Sequence, residues 1–315
     1  MSSSVLWMFP GQGSQGPGML ADFEGHPVTR ELLQQAEDTL HQNLIKLMGP
    51  DGDEEILRKT ENAQPALLTI GYVAAAYLAH QGKDLPAMVA GHSVGEYTAA
   101  AVSGCVSFEA ALKLVQTRAK AMAAAVPAGQ GGMSAVIGLG EEALHTALKG
   151  IEGVYVANDN SPGQIILSGT LEGLTQAEEA VKQAGAKRAL RLNVSGPFHT
   201  PAMHPAAQAV ESFLKAHPLQ VPKSPLIMNA TAKLTENTEE IAHNLVAQIT
   251  SPVRWRESME AAAEKGITTC LELGSGKVLT GLASRCDDRL TAHALSTRAT
   301  IESWLEGRDA LNTSS

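Results

Sequence analysis

"LPAMVAGHSVGEYTAAAVSG", residues 85–104, is the stretch on which the reading of this chain turns. An apolar run leads into Gly91-His92-Ser93-Val94-Gly95, and an alanine-rich helical run leaves it. G-x-S-x-G between a strand and a helix is the signature of a nucleophile elbow, a strained turn that exposes a serine hydroxyl. Both glycines have a steric reason to be there, because strand and helix must pass close to the turn backbone. The pattern is short, and a plain sharp turn is the competing reading until the rest of the chain is considered.

Outward from the elbow the pattern alternates. "SVLWMF" (4–9) reads as a buried strand, stopped by Pro10 and the loop "GQGSQGPG" (11–18). Residues 28–48 and 54–60 read as amphipathic helices. "QPALLTIGYVAAAYLAHQG" (64–82) reads as a helix starting at Pro65 and ending at Gly82, apolar nearly all round and therefore buried. After a helix over 107–125 the texture changes to strand, helix, strand, strand, helix, strand between 131 and 195. That βαββαβ order predicts a ferredoxin-like subdomain over 129–196, inserted in a larger domain formed by 1–128 and 197–315. The larger domain resumes with a helix near 202–216, the strand "PLIMNAT", helices at 238–249 and 255–265, the strand "TTCLELG" and "SGKVLTGLASRC". Strands alternating with helices predict an α/β fold with a mainly parallel sheet. The polar tail "NTSS" is expected to fray.

Composition narrows the function. A formal net charge of −9 argues against nucleic acid, whose phosphates require clustered Lys and Arg. An anionic small substrate stays open, since one local cation suffices. The 3 cysteines, Cys105, Cys270 and Cys286, form no CxxC pair and fit a reducing cytoplasm better than a disulfide or metal framework. No stretch approaches the roughly 20 apolar residues of a membrane span. The expectations are a cytoplasmic protein, with no membrane or nucleic-acid partner and no metal or other cofactor. A monomer is expected too, because no apolar stripe is left unexplained.

A reactive serine needs a base, oxyanion donors and a group that holds the substrate. Among the 10 histidines, His199 stands out in "VSGPFHTPAM", held between Pro197-Phe198 and Pro201 directly after a strand. His204 is its nearest competitor. His92 adjoins Ser93, and neighbours in a tight turn point apart, so it is a poor base. His145, His26, His41, His80, His217, His243 and His293 read as surface or loop residues. The glycine loop reads either as a turn or as an oxyanion loop in which the Gln12 N–H works with the N–H of Val94. Arg118 reads either as a solvated helix cation or, facing a cleft, as a bidentate partner for a carboxylate. Glu96, three positions after the elbow serine, is uninformative and could as easily cap its own helix. No acidic third member of a triad is evident, and a backbone carbonyl can orient a histidine instead.

"FPGQGSQGPGML", "QPALL", "GHSVGEYTA", "RAKAM", "NSPGQIILSG", "AGAKRALRLNVSGPFH", "SPVRW" and "LELGSGKVLTGL" occur in that order across nearly the whole chain. Together they resemble the malonyl-CoA:acyl-carrier-protein transacylases, the acyltransferase family of fatty-acid and polyketide synthesis. The resemblance implies a hydrolase-like α/β large domain carrying the ferredoxin-like subdomain. It implies a ping-pong reaction in which Ser93 takes the malonyl group and His199 acts as base. Gln248, in "LVAQITSPVRW", matches the residue whose main-chain carbonyl orients that histidine. Gln12 and Val94 match the oxyanion donors, and Arg118 matches the partner of the malonyl carboxylate. Gln64, His92 and Asn160 are expected to line the pocket, with Phe198 favouring malonyl over methylmalonyl. The partners implied are malonyl-CoA and a phosphopantetheinylated acyl carrier protein. An acyl-thioester hydrolase and a non-catalytic carrier-binding module are the competing classes. Arg118 disfavours the first, and retention of Ser93 and His199 disfavours the second. Lys187, Arg188, Lys277 and Arg285 are candidates for docking an acidic carrier, or else solvated surface charges.

Overall fold

The computed structural model describes residues 4–312 apart from 83 and 128, with side chains as far as 307. The tail expected to fray therefore lies, beyond residue 312, outside the described residues. The chain opens with β1 (Val5–Phe9), then α1 (Pro27–Leu40), α2 (Leu44–Met48), α3 (Glu54–Arg58) and α4 (Thr60–His80). β2 (Met88–Gly91), α5 (Gly95–Val102) and α6 (Phe108–Ala125) carry the elbow region. Next come β3 (Gly131–Ile137), α7 (Glu141–Leu148), β4 (Val154–Ser161), β5 (Gln164–Thr170), α8 (Leu171–Gln183) and β6 (Arg188–Arg191). The chain continues with α9 (His204–Ala216), β7 (Leu226–Ile227), β8 (Leu234–Thr235), α10 (Thr238–Ala247) and β9 (Val253–Arg254). It closes with α11 (Trp255–Glu264), β10 (Thr269–Leu273), α12 (Val278–Cys286), β11 (Thr291–Leu295) and α13 (Arg298–Asn312).

One sheet has the order β11-β10-β1-β2-β7-β8. Its pairings are parallel except for the last, between β7 and β8. β1 and β2 are buried along their whole length, as central strands covered on both faces must be. Alternate residues of β1 feed opposite cores: Val5, Trp7 and Phe9 meet the α4–α6 side, while Leu6 and Met8 meet α11 and α12. α4 lies close enough to the sheet that a Cβ on Gly71 would sit 2.9 Å from Thr98 Cγ2 and 3.3 Å from Phe9.

The second sheet runs β6-β3-β5-β4-β9. Its first four strands pair antiparallel and enclose a separate core that includes Val136, Leu144, Leu167, Leu174 and Val181. β9, from the last third of the chain, adds to this sheet in parallel, with Asn158 opposite Val253 and Asp159 opposite Arg254. The two sheets are thus joined by main-chain pairing as well as by the crossings near 128 and 196.

Some local expectations change. The single helix expected over 28–48 is two, because His41 adopts φ +53 and ends α1. α4 begins at Thr60 rather than Pro65, since Asn62 and Ala63 N–H already bond the Lys59 carbonyl. Pro65 sits inside the helix, where it leaves one intrahelical donor missing. "PLIMNAT" forms strand only at β7; Ala232, at φ +55, then turns the chain into β8. β11 and α13 were not expected. No described helix is long and apolar enough to cross a membrane.

Candidate active site

The elbow forms where β2 meets α5. A Cβ on Gly91 would lie 1.9 Å from the Gly95 carbonyl, and one on Gly95 would lie 2.0 Å from the Phe9 oxygen. These are backbone contacts that no side-chain movement relieves. Between them Ser93 takes φ +53, a conformation that surrounding structure has to enforce on a non-glycine residue.

Ser93 Oγ lies 2.8 Å from His199 Nε2. His199 is buried, also at positive φ, in the loop after β6. Thr200 Oγ1 donates to the Pro197 carbonyl at 2.8 Å and the Phe198 N–H to Gly196 at 3.1 Å, which pins that loop. His199 Nδ1 lies 2.7 Å from the Gln248 carbonyl oxygen, an acceptor only. That bond puts the proton on Nδ1 and leaves Nε2 free to receive the serine proton. Burial, with Arg118 nearby, pulls the imidazole down to about 3, so it is neutral at ordinary pH.

Arg118, on α6, is buried and reaches the same point. Nη2 donates to Ser93 Oγ at 3.2 Å and to Gln248 Oε1 at 3.0 Å, while Nη1 donates to Gln64 Oε1 at 2.6 Å. Its Cζ lies over the Tyr97 ring, 5.1 Å from the ring centre, and Nε has no partner among the described residues. Burial lowers its basicity, which measures how poorly solvated the cation is. Its hydrogen bonds to Gln64, Gln248 and Ser93 all go to neutral oxygens, a constellation suited to an incoming carboxylate.

A cavity of 480 Å³ opens over these groups. Every residue singled out from the sequence as part of the site lines it except Gln248, which lies beneath. Among the described residues the N–H groups of Gln12 and Val94 donate to nothing. The Gln12 side chain donates to Thr60 Oγ1, itself 2.9 Å from Ser195 Oγ. His92 turns the other way, Nε2 to Asn160 Oδ1 at 2.8 Å with its ring near Trp255. His204 opens α9 with its side chain exposed and lines no part of the cavity.

Of the remaining histidines, His26 and His293 are half-buried and the others are exposed. Lys187, Arg188, Lys277 and Arg285 are exposed, Arg285 donating to Gln164. Among the described residues no three His, Cys, Asp or Glu side chains are grouped to hold a metal.

Two residues escaped the sequence reading. Glu96 is no cap: it is wholly buried and accepts from the Asn229 N–H at 2.5 Å and from Gln248 Nε2 at 3.1 Å. Its helix turns the side chain under the elbow instead of back along its own N-terminus. Asn229 accepts the Ser93 N–H at 2.8 Å. A lone acid in the apolar run "VGEYTAAAV" was the available signal for Glu96; "MNAT" carried none for Asn229.

An elbow serine beside a histidine held by a carbonyl belongs to the class of acyl-handling α/β folds, and the chain belongs to the acyl transferase domain family, whose model matches residues 6–289. Within it, the malonyl CoA-acyl carrier protein transacylase of Bacillus subtilis is 41% identical over 305 residues, covering 95% of this chain and 96% of that one. The enzyme of the same name from Escherichia coli K12 is 41% identical over 308 residues, covering 96% and 99%. Among solved structures, a malonyl-transacylase in complex with the holo acyl-carrier protein of a type II polyketide synthase superposes with a TM-score of 0.93 at 40% identity, covering 96% and 99%. The acyl-carrier-protein S-malonyltransferase of Burkholderia pseudomallei 1710b gives 0.93 at 38% identity, covering 97% and 100%. The mixed α/β architecture with two sheets is the one these structures share.

Proposed function

We propose that this chain is a malonyl-CoA:acyl-carrier-protein S-malonyltransferase, acting in the cytoplasm as a monomer for fatty-acid or polyketide synthesis. The observation that carries the reading is the buried Arg118 guanidinium, 3.2 Å from a serine hydroxyl that is itself 2.8 Å from a neutral histidine. The family and its transacylase relatives support the substrates.

In the first half-reaction Ser93 Oγ attacks the malonyl thioester carbonyl while its proton passes to His199 Nε2. The oxyanion that forms accepts from Gln12 and Val94 N–H. When the C–S bond breaks, His199 returns the proton to the departing CoA sulfur. In the second half-reaction the carrier's pantetheine thiol loses its proton to His199 and attacks the malonyl-serine ester, and Ser93 takes the proton back. Arg118 holds the free carboxylate throughout. An acetyl group would leave that buried cation unpaired, which costs on the order of 1–3 kcal/mol, or about ten- to hundredfold in rate. Phe198 fills space beside His199 and favours malonyl over a branched acyl group. Gln64, His92 and Asn160 complete the pocket.

Within this reading 1–128 and 197–315 form the hydrolase-like domain, supported by the parallel sheet and its elbow. Residues 129–196 form a ferredoxin-like subdomain, supported by the order β6-β3-β5-β4 and the separate core. The test is intact-protein mass spectrometry after mixing with malonyl-CoA or acetyl-CoA, followed by a holo carrier protein. A malonyl adduct that survives in water and moves to the carrier is expected. An adduct lost to water before the carrier arrives would make the protein a hydrolase, and a preference for acetyl would remove Arg118's role.

A further inference from the structure

Glu96 and Asn229 take no part in those steps, yet both are buried directly under the elbow. Asn229 stands just beyond β7, where the chain turns toward β8. Its Oδ1 accepts the Ser93 N–H at 2.8 Å, and its Nδ2 donates to the Gly91 carbonyl at 2.7 Å. From the other side Gln248 Nε2 donates to the Ser93 carbonyl at 2.9 Å. The peptide groups on both sides of Ser93 are therefore gripped by side chains from the last third of the sequence. Glu96 ties the two grips together, one oxygen accepting from Asn229 N–H and the other from Gln248 Nε2.

The peptide plane explains why this matters. The Ser93 carbonyl and the Val94 N–H belong to one trans peptide unit, so they point in opposite directions. A hand on the carbonyl from beneath aims the N–H at the cavity above. Gln248 supplies that hand, and Glu96 holds Gln248 in place. A strained non-glycine turn persists only where its surroundings over-determine it, and here three side-chain hydrogen bonds to its backbone do so, with Glu96 holding Gln248 behind one of them.

We propose that Glu96 and Asn229 are positioning residues for acyl transfer, an acid–amide clamp that holds the Ser93 turn so that Val94 N–H and Ser93 Oγ face the substrate together. Neither touches the reacting atoms; each acts through the Ser93 backbone. Gln248 thereby serves twice, its main-chain oxygen orienting His199 and its side chain orienting the elbow.

This inference rests on Ser93 being the acylated residue, and the experiment separates the two. Rapid-quench acylation by saturating malonyl-CoA is measured for wild type, Glu96→Gln, Asn229→Ala and the double variant. Each rate constant is referred to the number of reactive serines given by the burst amplitude. Glu96→Gln is nearly isosteric but presents a donor to one of two donors. A merely structural defect lowers the amplitude and the melting temperature but leaves the rate constant per reactive serine unchanged. The expected result is a rate constant at least about fivefold lower in each single variant, with the KM for malonyl-CoA changed far less. The double variant should be about as slow as the slower single, because both act through one turn. A smaller loss in either folded variant, or losses that multiply, would overturn the clamp; if one variant does not fold, the other decides. Ser93→Ala is the control: an adduct in that variant would sink the underlying reading, whereas no adduct alongside normal Glu96→Gln and Asn229→Ala rates would sink only the clamp.

Discussion

Ser93 and His199 both sit at positive φ, +53 and +59, yet the two turns that hold them are built differently. The serine turn lies between a central strand and a helix, and its neighbours are backbone: Gly91 and Gly95 admit no side chain at all. The histidine turn lies in a loop stiffened by Pro197 and Pro201, with short local hydrogen bonds and one long-range bond to the Gln248 carbonyl. Steric exclusion therefore shapes the first turn, and hydrogen bonding aims the second. The lesson is that the glycines marking a nucleophile turn can be read from contiguous sequence, whereas the groups that hold both turns, Asn229 and the side chain and carbonyl of Gln248, come from distant segments.

The largest expected effect is at the serine itself. Ser93→Ala should remove the malonyl adduct and lower turnover by about 10⁴-fold or more, read by mass spectrometry and steady-state rate. His199→Ala should slow both half-reactions by about 10²–10⁴-fold, because proton transfer serves each of them. Stopped-flow rates would check this, and a loss confined to one half-reaction would break the symmetry of the proposed role.

The glycines sharpen the contrast between the turns. Gly95→Ala forces a Cβ against the Phe9 carbonyl and should destabilise the protein by several kcal/mol, at the upper end of about 4–5 kcal/mol for single changes, or prevent folding. Gly196→Ala, in the histidine loop, meets only the Phe198 ring at 3.5 Å and should cost less than about 1 kcal/mol. Chemical denaturation of the two variants compares them directly.

Arg118→Ala should cut malonyl transfer about ten- to hundredfold more than acetyl transfer. Equal losses on both acyl groups would detach the arginine from the carboxylate.

The smallest effect is a flat pH response. With His199 held at about 3, its neutral form persists from pH 7 down to 5, and acylation should show no histidine-like fall over that range. Stability follows the opposite sign. An unfolded histidine titrates near 6.5, so below that pH the unfolded state binds the extra proton and His199 increasingly favours unfolding. Glu96 is pushed up to about 8 by burial, so its penalty on the folded state grows as pH rises from the ordinary glutamate range to 8. Glu96→Gln should flatten that decline in melting temperature up to about pH 8.

Much of this was legible beforehand for a physical reason. The elbow, the buried helix over 64–82 and the βαββαβ run are local patterns, in which period and glycine placement reflect contacts between near neighbours. Arg118 was ambiguous from its helix alone, since helical spacing does not say which face meets a cleft. Lining the cavity with Arg118 required α6 to pack beside α4 and α5. Glu96 was undecided because its position in the first turn also fits a cap; only the arrival of Asn229 and Gln248 beneath the turn gave its carboxyl its partners. β9 was invisible, because two residues pairing with a strand nearly a hundred positions earlier leave no periodicity.

Residues 85–104 marked where a serine would stand on a strand-to-helix turn, because the glycines a few positions apart that such a turn needs are visible in the sequence. The ordered set of motifs determined the family. Tertiary structure alone decided that Glu96 and Asn229 lie under the elbow; it also set the distances at which His199, expected as the base over His204, meets Ser93 and the Gln248 carbonyl. Those are contacts between groups 49 to 152 positions apart, and their distances exist only once both sheets have formed.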